Sequence, residues 1–301
     1  WEELWLRYLI ARYDAYNCVY VWTLLNEYEF YPNGDWHYKP VADRWAMRVA
    51  RWIKGLAPHG HVVAVHNGPR EPAFARRFAA DPEAIDAILF QEWGTRDAEN
   101  GWLAAGIEET IQKSLAGWRG SAVFAEYGYE RNPNLPLLIP SHRYCDEEHT
   151  RRGAWRGAFR GLGVIHGFEN SWGPFLVLGE DQPGLAYLLQ LRRFFTEIVP
   201  FHRLRPAPEL IVAGNQPIGH RPLALASAER DRIAVYFPAG DAAELLLPRR
   251  SGYHAEWFDP RGGERQPASV EESGEALRVV APATRWAGHP ADWVLVLTGA
   301  V

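Results

Sequence analysis

With 301 residues, 47% hydrophobic and 23% charged, the chain has an ordinary globular composition and the length for one large domain plus a small one. Its net charge of −5 comes from signs scattered along the chain, which excludes both the basic stripe that holds nucleic acid and the polybasic tail that holds a membrane surface. Cys18 and Cys145 are too few for a disulfide framework or a four-ligand zinc site, and no run approaches the roughly 20 apolar residues of a membrane span.

The chain opens on Trp1, and Trp1, Leu4, Trp5, Tyr8 and Leu9 already follow a 3.6-residue rhythm with no cap ahead of them. The expectation is a start in mid-domain. Any signal peptide would then lie upstream, which leaves secretion to the medium or periplasm undecided.

From there to about residue 200, short β-branched apolar runs alternate with longer amphipathic stretches, the pattern of repeated βα units. Strands are expected at Cys18–Leu25, His61–His66, Ala87–Gln91, Ala122–Glu126 and Gly163–Phe168, and helices at Val41–Leu56, Leu103–Trp118, Asp146–Phe159 and Gly184–Glu197. A complete (β/α)8 barrel has eight units in about 250 residues, so about the last five are expected here and the first three are expected to be missing. After residue 205 the character changes. Short strands such as Arg232–Phe237, Ala243–Leu247, Tyr253–Phe258 and Trp293–Thr298 are separated by Gly, Pro and Asp turns. The expected fold is therefore α/β over residues 1–205, a partial TIM barrel, followed by an all-β sandwich over residues 206–301.

Two of the runs end in a carboxylate. Val19–Leu25 leads into Asn26 and Glu27, and Ser121–Ala125 leads into Glu126, which puts both glutamates at the C-terminal mouth of the sheet, where barrel enzymes hold their active sites. About 100 positions separate them, against roughly 31 residues per barrel unit, so three units intervene and the strands face one another across the mouth. Two carboxylates across a bound sugar are what glycosidic cleavage needs: one protonates the leaving oxygen, and the other attacks the anomeric carbon or activates water. Asn26 is placed to read a sugar hydroxyl. The bland alternative is that each glutamate simply meets solvent at a strand end.

Other mouth positions repeat the polar and aromatic theme. His66 and Asn67 follow one strand, Gln91 and Trp93 the next, Tyr127 follows Glu126, and Trp172 follows the last; these are the expected substrate-binding residues. Tyr127-Gly128-Tyr129-Glu130 forms a polar and aromatic cluster directly after Glu126, and a tyrosine hydroxyl donated to a carboxylate would hold it ionised. His59 and His61 lie at the wrong end of their strand for a metal site, so neither metal nor cofactor is expected.

Several stretches resemble the apiosidase-like glycoside hydrolase family, whose barrels often precede a domain described as the collagen-binding domain of a collagenase. They are Arg7–Tyr13 leading into Trp22–Glu27, then Phe90-Gln91, Ala125–Glu130, Ala255–Gly263 and Asp292–Leu297. The resemblance implies a retaining glycosidase acting on plant-type polysaccharide, with Glu27 as acid/base and Glu126 as nucleophile. The competing expectation is a carbohydrate- or matrix-binding protein, or an inactive fragment of a glycosidase, whose aromatic mouth holds glycan without cutting it. The sugar, the linkage and the oligomeric state stay open.

Overall fold

The computed structural model describes residues 1–30, 38–68, 73–91, 111–134, 136–137, 145–169, 182–212, 214–247, 252–273, 276–282, 285–286 and 288–299. These form two compact units, one up to Glu126 and the other from Tyr127 onward.

The first unit alternates strand and helix. Its elements are α1 (Glu2–Tyr13), β1 (Val21–Asn26), a 3-10 turn at Tyr28–Phe30, α2 (Pro40–Leu56), β2 (Val62–His66), α3 (Phe74–Arg77), β3 (Ala87–Gln91) and β4 (Ser121–Glu126). The strands pair in parallel in the order β1, β2, β3, β4, with Val21 beside Val62, Val65 beside Ile88 and Ile88 beside Ala122. α2 forms because Pro40 sits at its first turn and because Ala42, Ala46, Val49, Ala50 and Ile53 recur at helical spacing and are all buried. Buried Val63, Ala64, Val65, Ile88, Phe90 and Phe124 make the sheet's apolar centre, where the rings of Phe90 and Phe124 stack with centroids 5.3 Å apart.

The expected strand ends are met within a residue at β2, β3 and β4. The strand expected at Cys18–Leu25 instead starts at Val21 and runs to Asn26. Asp14 explains the delay: its carboxylate accepts from Trp22 Nε1 (2.9 Å) and from the His59 amide (3.2 Å), and its carbonyl lies 2.7 Å from His61 Nε2. Those bonds hold the preceding residues in a turn and leave Cys18 exposed. Of the expected helix Leu103–Trp118, residues 111–115 are described and helical, residues 116–118 are described and leave the helix in a turn at Gly117 with φ of 74°, and the residues before 111 lie outside the described residues.

The second unit starts with β5 (Tyr129–Glu130) and α4 (Glu147–Phe159). α4 is capped by Asp146, whose side chain accepts from His149 N, and carries Glu147 and Glu148 in its first turn. The strand expected over Gly163–Phe168 is instead two short pieces, β6 (Gly163–Val164) and β7 (Gly167–Phe168), with β7 pairing in parallel with β5. His166 interrupts the run, with Nε2 at 2.9 Å from Thr150 Oγ1 of α4. α5 (Gly184–Arg193) then passes into a π-turn at Phe194–Ile198 that brings Phe194 into the core.

The remaining strands are β8 (Arg205–Pro206), β9 (Leu223–Ala226), β10 (Arg232–Phe237), β11 (Ala242–Leu245), β12 (His254–Phe258), β13 (Arg265–Pro267), β14 (Val270–Ser273), β15 (Ala276–Val280), β16 (Arg285–Trp286), β17 (His289–Pro290) and β18 (Trp293–Thr298). An antiparallel six-stranded sheet runs β13-β12-β18-β10-β9-β8, and a three-stranded sheet runs β11-β15-β14. Alternation along β10 divides the apolar residues. Ile233, Val235 and Phe237 join Leu245, Trp257, Val279, Leu295 and Leu297 in one core, while Ala234 and Tyr236 join Trp155, Phe159, Phe194, Phe258, Val294 and Val296 in another. The six-stranded sheet is thus covered on both faces, which is why β10 and β18 read as unbroken apolar runs. No described helix is long and apolar enough to cross a membrane.

Candidate active site

The site is built from the C-terminal ends of the four parallel strands. Asn26 closes β1 beside His66 of β2, and Gln91 closes β3 beside Glu126 of β4. The pairing shifts register at β1 between Thr23 and Asn26 and at β3–β4 between Phe90 and Gln91, so both carboxylate-bearing ends depart from a regular ladder.

Glu27 follows β1 with φ of 49°, the left-handed region that a glutamate rarely enters. Its carbonyl accepts from the Phe30 amide at 3.1 Å, which closes the Tyr28–Phe30 turn immediately after it. Strained backbone of this kind costs on the order of 1–3 kcal/mol and survives only where surrounding contacts enforce it.

Three links join the two glutamates. Gln91 donates from Nε2 to Glu27 Oε1 at 2.9 Å; the same nitrogen lies 3.5 Å from His66 Nε2; and His66 Nε2 lies 3.3 Å from Glu126 Oε1. The chain of contacts keeps the carboxyl groups within roughly 10 Å, a span that admits the ~5–5.5 Å of retaining pairs and the ~6.5–9.5 Å of inverting ones. The side chains of His66 and Glu126 retain 14% and 18% exposure, enough for a ligand to reach them.

Glu27 holds its proton more tightly than an ordinary carboxyl group. Burial is the largest cause, the Gln91 bond offsets part of it, and the charge of Glu126 adds to the rise.

The other expected residues are distributed unevenly. Asn26 is exposed at the end of β1. Gln91 and His66 lie between the two carboxylates rather than around them. Asn67 is wholly buried, and its amide donates to Glu29 Oε1 at 2.9 Å, which makes it a prop beneath the strand ends. Tyr127 is also wholly buried; its hydroxyl donates to the Thr150 carbonyl at 3.1 Å, and its ring lies against His166 with centroids 4.6 Å apart. Trp93 and Trp172 lie outside the described residues. Among the described residues no three His, Cys, Asp or Glu groups gather as a metal site would need. A cavity of about 630 Å³ lined by Leu25, Tyr28, Val41 and Trp45 contains neither carboxylate, so volume alone does not mark this chemistry.

Sequence reasoning missed a group lying directly below: Tyr28, Glu29, Asp43 and Arg77, all buried in side chain. The available signal was the sequence Asn-Glu-Tyr-Glu-Phe, in which a second glutamate sits between aromatics two places past the first.

Residues 206–298 match the family model described as "Putative collagen-binding domain of a collagenase". No curated protein matches the chain. Among solved structures, it is similar to a family 5 glycoside hydrolase from Bacteroides vulgatus, with TM-score 0.70 and 18% identity, over 99% of this chain and 66% of that one. It is similar to a second structure described as a glycoside hydrolase, with TM-score 0.71 and 17% identity, over 99% and 68% of the two chains. The catalytic domain of the GH30 xylanase C from Talaromyces cellulolyticus aligns with TM-score 0.56 and 14% identity, over 100% and 68%. The chain thus spans about two thirds of these relatives' length, and at such identities the likeness is one of fold.

Proposed function

We propose that the chain is the greater part of a retaining glycoside hydrolase acting on plant-type polysaccharide, with a partial (β/α)8 barrel over residues 1–205 and a β-sandwich over residues 206–301. The observation that carries this reading is the linked series Glu27, Gln91, His66, Glu126 at one end of a parallel sheet. The likeness to glycoside hydrolase folds supports it.

In the first step Glu27, whose raised pKa favours the protonated form, gives its proton to the glycosidic oxygen as the bond from that oxygen to the anomeric carbon breaks. A Glu126 carboxylate oxygen bonds to the anomeric carbon from the opposite side, giving a glycosyl ester. In the second step ionised Glu27 takes a proton from water, the water oxygen bonds to the anomeric carbon, and the ester bond to Glu126 breaks. His66, placed against Glu126, and Gln91, donating to Glu27, hold the two groups to their roles. Asn26, Trp93 and Trp172 complete the reading as sugar contacts, and no cofactor takes part.

Release of reducing sugar from plant polysaccharides tests the proposal. Activity is expected to fall about 10²–10⁴-fold in Glu27→Gln and further in Glu126→Gln. Glycan retention without any turnover by the parent protein would overturn it. A second reading, attachment to a collagenous or glycan matrix through residues 206–298, rests on the family match to that segment. Retention of the folded parent protein on collagen or glycan, with no sugar released, would favour it.

A further inference from the structure

We infer that Glu29 and Arg77 are positioning residues: a buried charge cluster that ties the turn carrying Glu27 to the end of β2 and so fixes that carboxyl group against Gln91 and His66. The inference deepens the proposed function and rests on its assignment of Glu27 as acid/base.

Arg77 is the hub. Its Nη2 donates to Tyr28 Oη at 2.7 Å, Glu29 Oε1 at 2.9 Å and Asp43 Oδ1 at 2.8 Å, while Nε donates to Asp43 Oδ2 at 3.1 Å. Tyr28 Oη donates in turn to Asp43 Oδ1 at 2.6 Å, and the Tyr38 hydroxyl donates to the same carboxylate. Glu29 reaches the other way. Its Oε1 accepts from Asn67 Nδ2 at 2.9 Å and its Oε2 from the Gly68 amide at 2.6 Å. Gly68 sits so close to the Phe30 ring that a Cβ there would have no room, so this contact point needs glycine.

The positions matter more than the number of bonds. Glu29 and Tyr28 are in the turn that begins at Glu27, and Asn67 and Gly68 directly follow His66, so the cluster sets the distance between the two strand ends from beneath. A buried ion cluster is a poor way to stabilise a fold, since apolar side chains of the same volume do so at lower cost. What it supplies is geometry. The left-handed backbone at Glu27 requires an external hold of this kind.

The test is a titration of the Glu27 carboxyl by carbon-detected NMR in the full chain, its signal assigned by its loss in Glu27→Gln. Arg77→Lys keeps the charge but loses the fork, so a changed titration reports position rather than field. We expect the Glu27 pKa in Arg77→Lys to fall toward the ordinary range as burial is lost. We also expect kcat on an activated aryl glycoside to fall about 10- to 100-fold with KM unchanged. Tyr28→Phe, which keeps the ring and removes one hydroxyl, is expected to move both readouts the same way by less; should Arg77→Lys not fold, it decides alone. A folded variant whose Glu27 titrates as in the parent overturns the inference. The titration needs no substrate, so a parent without hydrolase activity would overturn the acid/base role while leaving positioning to be decided by the NMR result.

Discussion

At the scale of the residue, Glu27 carries two penalties at once, a left-handed backbone and a half-buried carboxyl group whose pKa is raised first by burial and then by Glu126, against the Gln91 bond. A carboxyl group with a folded pKa above its unfolded value opposes folding once ionised. Glu27→Gln is therefore expected to be slightly more stable than the parent at pH 7, by less than about 1 kcal/mol because solvent screens the site. The gain should shrink as the pH falls through the raised folded value and vanish below the unfolded value of about 4.3, where the group is protonated in both states. Urea unfolding at the two pH values checks this; a loss of stability at pH 7 would contradict it. The glutamates themselves were legible because each ends an apolar β-branched run. Their link was not. Gln91 and His66 look in sequence like sugar contacts, and only the adjacent strand ends show that both lie between the carboxylates. Asn67 was legible as a strand-end amide but not as a buried one, since its partner Glu29 comes from a turn 38 positions away.

At the scale of the element, α4 shows where hydropathy misleads. Its sequence is rich in arginine, yet Arg151, Arg152 and Arg156 are all buried. Arg151 donates from Nη2 to Asp292 Oδ1 at 2.9 Å and to Glu148 Oε2 at 2.5 Å, and Arg152 reaches the Pro238 and Pro290 carbonyls. Asp292, immediately before β18, also accepts from Tyr236 Oη at 3.0 Å. Burial would raise the Asp292 pKa, but Arg151 and Arg152 outweigh it and hold the carboxylate well below its usual range. The sign follows: this contribution is present above the unfolded value of about 3.9 and is lost as pH falls through the folded one. Asp292→Asn should cost about 3–5 kcal/mol at neutral pH by stranding buried guanidinium groups. The deficit against the parent should narrow in strong acid, as denaturant midpoints across pH would reveal; a constant deficit would contradict the assignment. Glu148, on the same helix, is a partner visible in the sequence, but the second carboxylate, Asp292, lies 141 positions after Arg151, so the burial of these arginines is not legible from the helix alone.

At the scale of the whole molecule, the helices after Tyr127 and the antiparallel six-stranded sheet share a core. Trp155 and Phe159 of α4 and Phe194 of the π-turn pack on the face of the six-stranded sheet opposite the one that carries Val235, Trp257 and Leu295. The short strands between Gly, Pro and Asp turns were legible as an all-β segment, but that the six-stranded sheet's second face is also covered depends on helices that the sequence lists separately. Trp155→Ala is expected to cost about 3–5 kcal/mol and to weaken hydrogen-exchange protection in α4 and in β10 together. Loss confined to the helix would show that the two fold independently. The proposed hydrolysis requires the two glutamates to have different jobs at one sugar carbon, and azide rescue of the alanine variants on an activated aryl glycoside tests that most directly. Azide should restore turnover to Glu126→Ala and give a glycosyl azide of inverted configuration, because it replaces the nucleophile, while in Glu27→Ala it should give the retained configuration, because it replaces the attacking water. An active parent whose two variants show no rescue, or yield the same anomer, would contradict the account.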